Sequence, residues 1–237
     1  IHHDYRILLN NKPRPKVISL FTCGMGMDIG FEKSGFDTVY TNDIARFACD
    51  TIKKNKDGVI CDHGDIANIP SSEILKKCNL KKGEIDVVIG GPPCQSFSTA
   101  GKRKGFDDKR GIALLEFIRI IRDVNPKFFV FENVPGLKSM SKKHIDFYER
   151  SSMDKSELSH DQKYGSLFEE ILTQFSGLSG YKIHWEILNA ADYGVPQKRK
   201  RLVLIGSRVL DPKEIFDKIR KKATFADPSV AAEEKKK

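Results

Sequence analysis

The sequence predicts an α/β domain with a largely parallel sheet covered on both faces. Three observations point there. The apolar runs at 17–21, 86–89 and 128–131 are short and read as strands apolar on both faces. Segments with a helical apolar period alternate with them. Glycine, proline or asparagine follows each run within a few residues, where no strand continues easily.

The elements follow in order. Val17-Ile18-Ser19-Leu20-Phe21 is β-rich and opens into the turn Thr22-Cys23-Gly24-Met25-Gly26. Residues 27–34 form a helix stopped by Gly35, and 38–41 form a second strand that ends at Asn42-Asp43. A helix over 45–55 and a brief strand over 59–61 come next. The strand at 86–89 stops at Gly90-Gly91-Pro92-Pro93, which neither a strand nor a helix passes through. Residues 112–124 form an amphipathic helix with Leu114, Leu115, Ile118 and Ile121 on one stripe, and Asn125-Pro126 ends it. Strands over 128–131, 181–188 and 202–205 complete the sheet. Residues 139–162 are polar and aperiodic and read as a surface excursion, and 226–237 read as a frayed tail.

Length and charge narrow the class. The 237 residues suffice for a sizeable core, and we read 1–237 as one domain with its core at about 17–207 and an extension over 208–237. With 39% apolar and 31% charged residues the chain is neither disordered nor membrane-like, and no apolar run approaches the roughly 18 residues of a membrane span. The start, Ile1-His2-His3-Asp4, lacks the pattern of a signal peptide. Net charge is +9, which suits a polyanionic partner. The five cysteines, Cys23, Cys49, Cys61, Cys78 and Cys94, are widely spaced. They form no disulfide framework and no metal-ligand pattern, which fits a reducing, cytoplasmic-type compartment.

Four segments carry chemistry. The glycine-containing turn after the first strand is where α/β sheets hold nucleotide-like groups. Asp43 can accept from two ribose hydroxyls and Asp65 from an adenine amino group, although an ordinary strand-to-helix turn reads the same way. Gly90-Gly91-Pro92-Pro93-Cys94-Gln95-Ser96-Phe97-Ser98 is sharper: two prolines stiffen the backbone before a cysteine at a strand's carboxyl end. A helical turn beginning near Cys94 would favour its thiolate. Glu132 follows four apolar residues at another strand end, and a half-buried carboxyl there is a candidate proton donor. Finally, Gln197-Lys198-Arg199-Lys200-Arg201 abuts a buried strand. In extended backbone Arg199 and Arg201 share a face, where two guanidiniums suit a phosphate, a carboxylate or a pyrimidine carbonyl.

Together these segments resemble the DNA cytosine carbon-5 methyltransferases. Gly-Pro-Pro-Cys-Gln-x-Phe-Ser matches that family's nucleophile loop, Phe131-Glu132-Asn133-Val134 its Glu-Asn-Val block, and Gln197 to Arg201 its Gln-x-Arg-x-Arg block. The resemblance runs from about Val17 to Ser207. It implies a Rossmann-like S-adenosylmethionine-dependent methyltransferase fold acting on double-stranded DNA, in a restriction–modification setting in the cytoplasm, at the nucleoid. By the resemblance, Cys94 adds to carbon-6 of a flipped cytosine, Glu132 protonates ring nitrogen 3, Arg201 holds the ring carbonyl and the carboxyl, and Arg199 sits beside them. Phe21, Gly24, Gly26, Asp43, Ile44, Asp65, Ile66 and Pro92 are implied for S-adenosyl-L-methionine. The loop with Lys102, Arg103 and Lys104 is implied for phosphate contact.

Two departures stand out. Cys23 and Met25 occupy positions where the family turn carries glycine, so their side chains are expected to crowd the cofactor or shift the turn. The family's target-recognition region is absent, so the reading includes a split-enzyme subunit or a truncated form. A second protein subunit would then dock on Ile215-Phe216 and on 225–230. Two other readings stand beside this one. A non-catalytic binding subunit leaves Cys94, Glu132 and Arg201 without a purpose. A nicotinamide-dependent oxidoreductase leaves Pro92-Pro93-Cys94-Gln95 and the paired arginines without one.

Overall fold

The computed structural model describes residues 13–93, 109–143, 145, 151–154, 156 and 158–223. Backbone contacts divide them into two compact units. One holds the residues up to Ile89 with Asp123–Lys127, and the other holds Gly90–Arg122 with everything from Phe128 on.

In the first unit the elements run β1 (Lys16–Leu20), α1 (Gly26–Lys33), β2 (Asp37–Asp43), α2 (Arg46–Asn55), β3 (Ile60–His63), α3 (Ser71–Lys77) and β4 (Val87–Gly90), whose last residue falls in the second unit. The strands lie in the order β3-β2-β1-β4. β1 pairs parallel with β2 (Lys16 opposite Asp37, with an irregularity at Val17/Ile18), and β2 pairs parallel with β3 (Tyr40 opposite Ile60). Val17, Ile18, Leu20, Tyr40 and Val88 are all but inaccessible to water, as strands covered on both faces must be, and so are Ile74 of α3 and Ile85 just before β4. α2 buries Ala48, Cys49 and Ile52, the inward side of one helical turn.

In the second unit come α4 (Lys109–Val124, whose last two residues belong to the first unit), β5 (Phe128–Asn133), α5 (Ser166–Ser176), β6 (Lys182–Asn189), β7 (Lys200–Ser207) and α6 (Pro212–Lys221). β7 lies between β5 and β6 and is antiparallel to both: Phe128 faces Ser207, and Lys182 faces Ser207 from the other side. β7 is thus the departure from the parallel pattern. One face of these strands carries Phe129 and Phe131, which meet Phe175 of α5 at 5.2 and 5.4 Å between ring centres. Phe117 of α4 joins them at 6.1 Å from Phe131. Gly206, opposite Phe129, is required there, because a β-carbon on it would overlap the Phe129 ring. The other face takes α6, through Phe216 against His184 at 5.3 Å.

Several expectations need correction. Leu115 is 36% exposed at the edge of the α4 stripe, whose buried side includes Phe117 and Ile120 instead. Phe216 is fully buried in the unit's own core, so it is not available as a docking residue, and 225–230 lie outside the described residues. The 139–162 excursion is tied at its ends. Leu167 N–H donates to Met140 O, Lys142 N–H donates to Ser166 Oγ, and Ile145 is buried. No helix among the described residues is long and apolar enough to cross a membrane.

Candidate active site

The first unit gathers a turn, two acidic residues and exposed apolar side chains at the carboxyl ends of β1, β2 and β3. In the turn after β1, Phe21, Cys23 and Met25 all adopt left-handed backbone (φ 56°, 49° and 62°). That conformation is costly for any residue with a β-carbon. Gly24 and Gly26 do not carry it, and both face open space. The turn is pinned by its neighbours: Thr22 N–H donates to Asn42 O at 3.2 Å, and Cys23 N–H donates to Asp43 Oδ2 at 2.8 Å. The Asp43 carboxylate also takes Ala45 N–H on Oδ1 at 2.8 Å. Each oxygen keeps a further lone pair for a hydroxyl donor.

The side chains at the two unusual positions diverge. Met25 is 3% exposed and packs with Cys49, Ile52, Cys61 and Val59, whereas Cys23 stays at the surface of the turn. The chain accepts the left-handed geometry at these positions without glycine. Asp65 is exposed and caps the short turn Ile66–Asn68 by accepting Ala67 N–H at 3.0 Å. Ile66, next to it, is buried, 2% exposed as a whole residue. Ile44 is 68% exposed and Phe47 73%, apolar surface beside Asp43 with no cover in this unit. Apolar side chains, a carboxylate with open lone pairs and a second exposed carboxylate are a donor set that fits an adenosyl group.

Beneath this turn lies a group that the sequence reading did not single out. Asp28 is 1% exposed and accepts the hydroxyls of Ser19 (3.0 Å) and Thr38 (3.4 Å). Burial pushes its carboxyl up to about 6, against the opposing pull of those two hydrogen bonds.

The second unit assembles the other candidates. Cys94 lies outside the described residues, as do Lys102, Arg103 and Lys104. The backbone leading to Cys94 is described through Pro93. Pro92 is buried, and its carbonyl accepts Asn133 Nδ2 at 3.0 Å, while Asn133 Oδ1 takes Val134 N–H at 2.9 Å. Beside it, a β-carbon on Gly91 would stand 3.1 Å from Glu132 Oε2, so glycine lets the carboxyl lie against this backbone. Glu132 Oε1 pairs with Arg201 Nε at 2.7 Å, with side chains 29% and 25% exposed. Arg201 also donates to Lys200 O at 2.8 Å. Arg199 and Arg201 line one cleft of about 310 Å³ with Leu188, Ala190, Tyr193 and Ile219. The approach to it is shaped by Asn189, whose Oδ1 accepts Arg199 N–H at 3.0 Å. Gly91, Asn133 and Asn189 were missed in the sequence, since their roles rest on contacts between segments far apart in the chain. Among the described residues no group of three or more His, Cys, Asp or Glu is placed to hold a metal ion.

The family described as C-5 cytosine-specific DNA methylase matches residues 15–236. Type II methyltransferase M.AquIA of Picosynechococcus sp. is 40% identical over 201 residues, covering 82% of this chain and 72% of the relative. Type II methyltransferase M.XorII of Xanthomonas oryzae is 36% identical over 82% of this chain, which spans 41% of that relative's length. The solved structure of a Spodoptera frugiperda DNMT2 mutant superposes with a TM-score of 0.57 at 22% identity, over 82% of this chain and 50% of the other, a likeness of fold.

Proposed function

Because the chain belongs to the C-5 cytosine-specific DNA methylase family, we propose that it methylates carbon-5 of cytosine in double-stranded DNA through a covalent Cys94 adduct. The single observation that carries the reading is the Glu132–Arg201 pair at 2.7 Å, with Glu132 against the Gly91 backbone that leads to Cys94. It supplies a carboxyl and a guanidinium side by side, the two groups that a pyrimidine's N3 and O2 require.

A base stacked in the duplex is out of reach, so the target cytosine is flipped out. The Cys94 thiolate then forms a bond to carbon-6. Glu132 passes its proton to nitrogen 3, which takes up the electron pair displaced from the ring. Arg201 fixes Glu132 and donates to the ring carbonyl, so charge developing on the base meets an oriented donor. Arg199, from the same cleft, contributes a second cation. The adduct leaves carbon-5 enamine-like and nucleophilic. When bound, S-adenosyl-L-methionine supplies the electrophilic methyl group. Loss of the carbon-5 proton to a base and cleavage of the sulfur–carbon-6 bond return Cys94 as the thiolate, and nitrogen 3 returns its proton to Glu132.

The cofactor would be held by Phe21 and Ile44 on the adenine, Asp43 on the ribose, and Asp65 with Ile66 near the adenine edge. The open turn at Gly24 and Gly26 would lie beside it, with Pro92 at the methionine end. The relatives' description as type II methyltransferases supports a restriction–modification role, in the cytoplasm and at the nucleoid through DNA. The proposal includes a second protein subunit that carries target recognition. Adding such a subunit should raise methyl transfer without changing cofactor affinity.

Covalent trapping tests the chemistry. A duplex containing 5-fluorocytosine blocks the final proton loss. With S-adenosyl-L-methionine it should give a complex stable on a denaturing gel for the natural chain and none for Cys94→Ala. Equal trapping by both would overturn the reading.

A further inference from the structure

Two turns of the first unit converge on one dipeptide at the end of β2, Asn42-Asp43. Asn42 is 1% exposed. Its backbone oxygen accepts both the N–H (3.2 Å) and the hydroxyl (3.3 Å) of Thr22, in the turn after β1. Its side-chain amide points the other way. Nδ2 donates to Asp62 O at 3.1 Å, within β3, and to Gly64 O at 3.0 Å, in the turn that follows it. Gly64 N–H returns to Asp43 O at 3.0 Å. Gly64 sits at φ 142°, where other residues are strained, so this turn has a defined shape, held from the neighbouring strand by the Asn42 amide and the Asp43 carbonyl. Asp65 follows immediately.

We propose that Asn42 is a positioning residue of the cofactor site, whose two N–H bonds fix the Asp62–Gly64 turn and hence where Asp65 stands relative to Asp43. One amide group supplies two donors at once, which no smaller side chain can do. Both recipients are backbone carbonyls and would lose the amide together, although Asp62 O also accepts Cys49 Sγ at 3.8 Å. The inference rests on the reading of this region as the adenosyl pocket and deepens it: selectivity for the adenine amino group comes from Asp65, but the place of Asp65 comes from Asn42.

The test is binding to the full chain by titration calorimetry, with S-adenosylhomocysteine and with S-inosylhomocysteine, which carries a ring carbonyl in place of the amino group. The natural chain should prefer the adenosyl ligand by tenfold or more. Asn42→Ala should weaken adenosyl binding by about tenfold and cut the preference to threefold or less, while still melting cooperatively. A merely structural role would lower the melting temperature and leave the preference intact. If Asn42→Ala fails to fold, Gly64→Ala strains the same turn from its other side and should also lose the preference. Natural chain and variants with the same preference would overturn the inference and leave the cofactor reading standing. A natural chain that binds neither ligand would overturn both.

Discussion

The same chemical change, a side chain replaced by glycine, should have opposite effects at two positions only two residues apart. Cys23 and Met25 both hold left-handed backbone. Relief of that strain is worth about 1–2 kcal/mol at each. Against it stands the extra freedom that glycine gives the unfolded chain, about 0.5–1 kcal/mol. For the exposed Cys23 nothing else changes, so Cys23→Gly should be neutral to stabilising by about 1 kcal/mol. Met25 is 3% exposed against Cys49, Ile52 and Cys61. Emptying that site costs about 2–5 kcal/mol, as for other buried methionines cut back. Met25→Gly should therefore be destabilising by about 1–4 kcal/mol. For a chain of this size about 1 kcal/mol moves the melting temperature by about 2–4 °C. The two variants should differ by at least about 4 °C, with Cys23→Gly the higher. Differential scanning calorimetry on the two proteins in one buffer reads this directly. Equal shifts of the same sign would refute the claim that one side chain serves the core and the other only the turn.

Gly206→Ala drives a methyl group into the Phe129 ring, which has Phe175 stacked on it. It should cost about 3 kcal/mol, or about 6–12 °C in a thermal melt, and Phe129→Leu in the same chain should recover part of that. Asp28 releases its proton at about 6 in the folded protein, above the ordinary 3.8. The stability that its retained proton contributes is complete below about pH 4 and is lost as pH rises through about 6. Asp28→Asn should flatten the pH dependence of urea unfolding across that window and gain up to about 3 kcal/mol near pH 7. An unchanged slope between pH 4 and 6 would contradict this. Arg201→Ala breaks a half-exposed ion pair worth at most about 1 kcal/mol to stability. It should nonetheless lower labelled-methyl transfer by about 10²–10³-fold, the cost of removing an oriented donor to developing charge.

Much of the fold was legible because buried strands advertise themselves. The runs ending at Phe21, Ile89 and Phe131 are bounded by turn residues, and strands lie within a residue or two of each. The helix over Ser166–Ser176 was also written in its pattern, with Leu167, Phe168, Ile171 and Phe175 on one buried side. The sequence reading does not assign it, because it directly follows the polar, aperiodic stretch 139–162. α6 was harder to see. Only Pro212 and Phe216 are buried on it, and its signals are the Asp211 cap and the basic last turn. Residue types with their own chemistry stand out in the sequence: Cys94, Glu132, Arg201 and Asp43. The amides of Asn42 and Asn133 and the bare α-carbon of Gly91 do not. Their partners lie 20 to 41 residues away in the chain, and only the sheet brings them together.

The measurement that bears most directly on the account is the chemical identity of the methylated base. The chain is incubated with unmethylated duplex DNA and methyl-labelled S-adenosyl-L-methionine, with and without the Cys94→Ser change, and the digested nucleosides are separated by mass spectrometry. The account predicts label in 5-methyldeoxycytidine alone, and none from Cys94→Ser. Label on the amino group of cytosine or adenine, or 5-methyldeoxycytidine formed without Cys94, would contradict it.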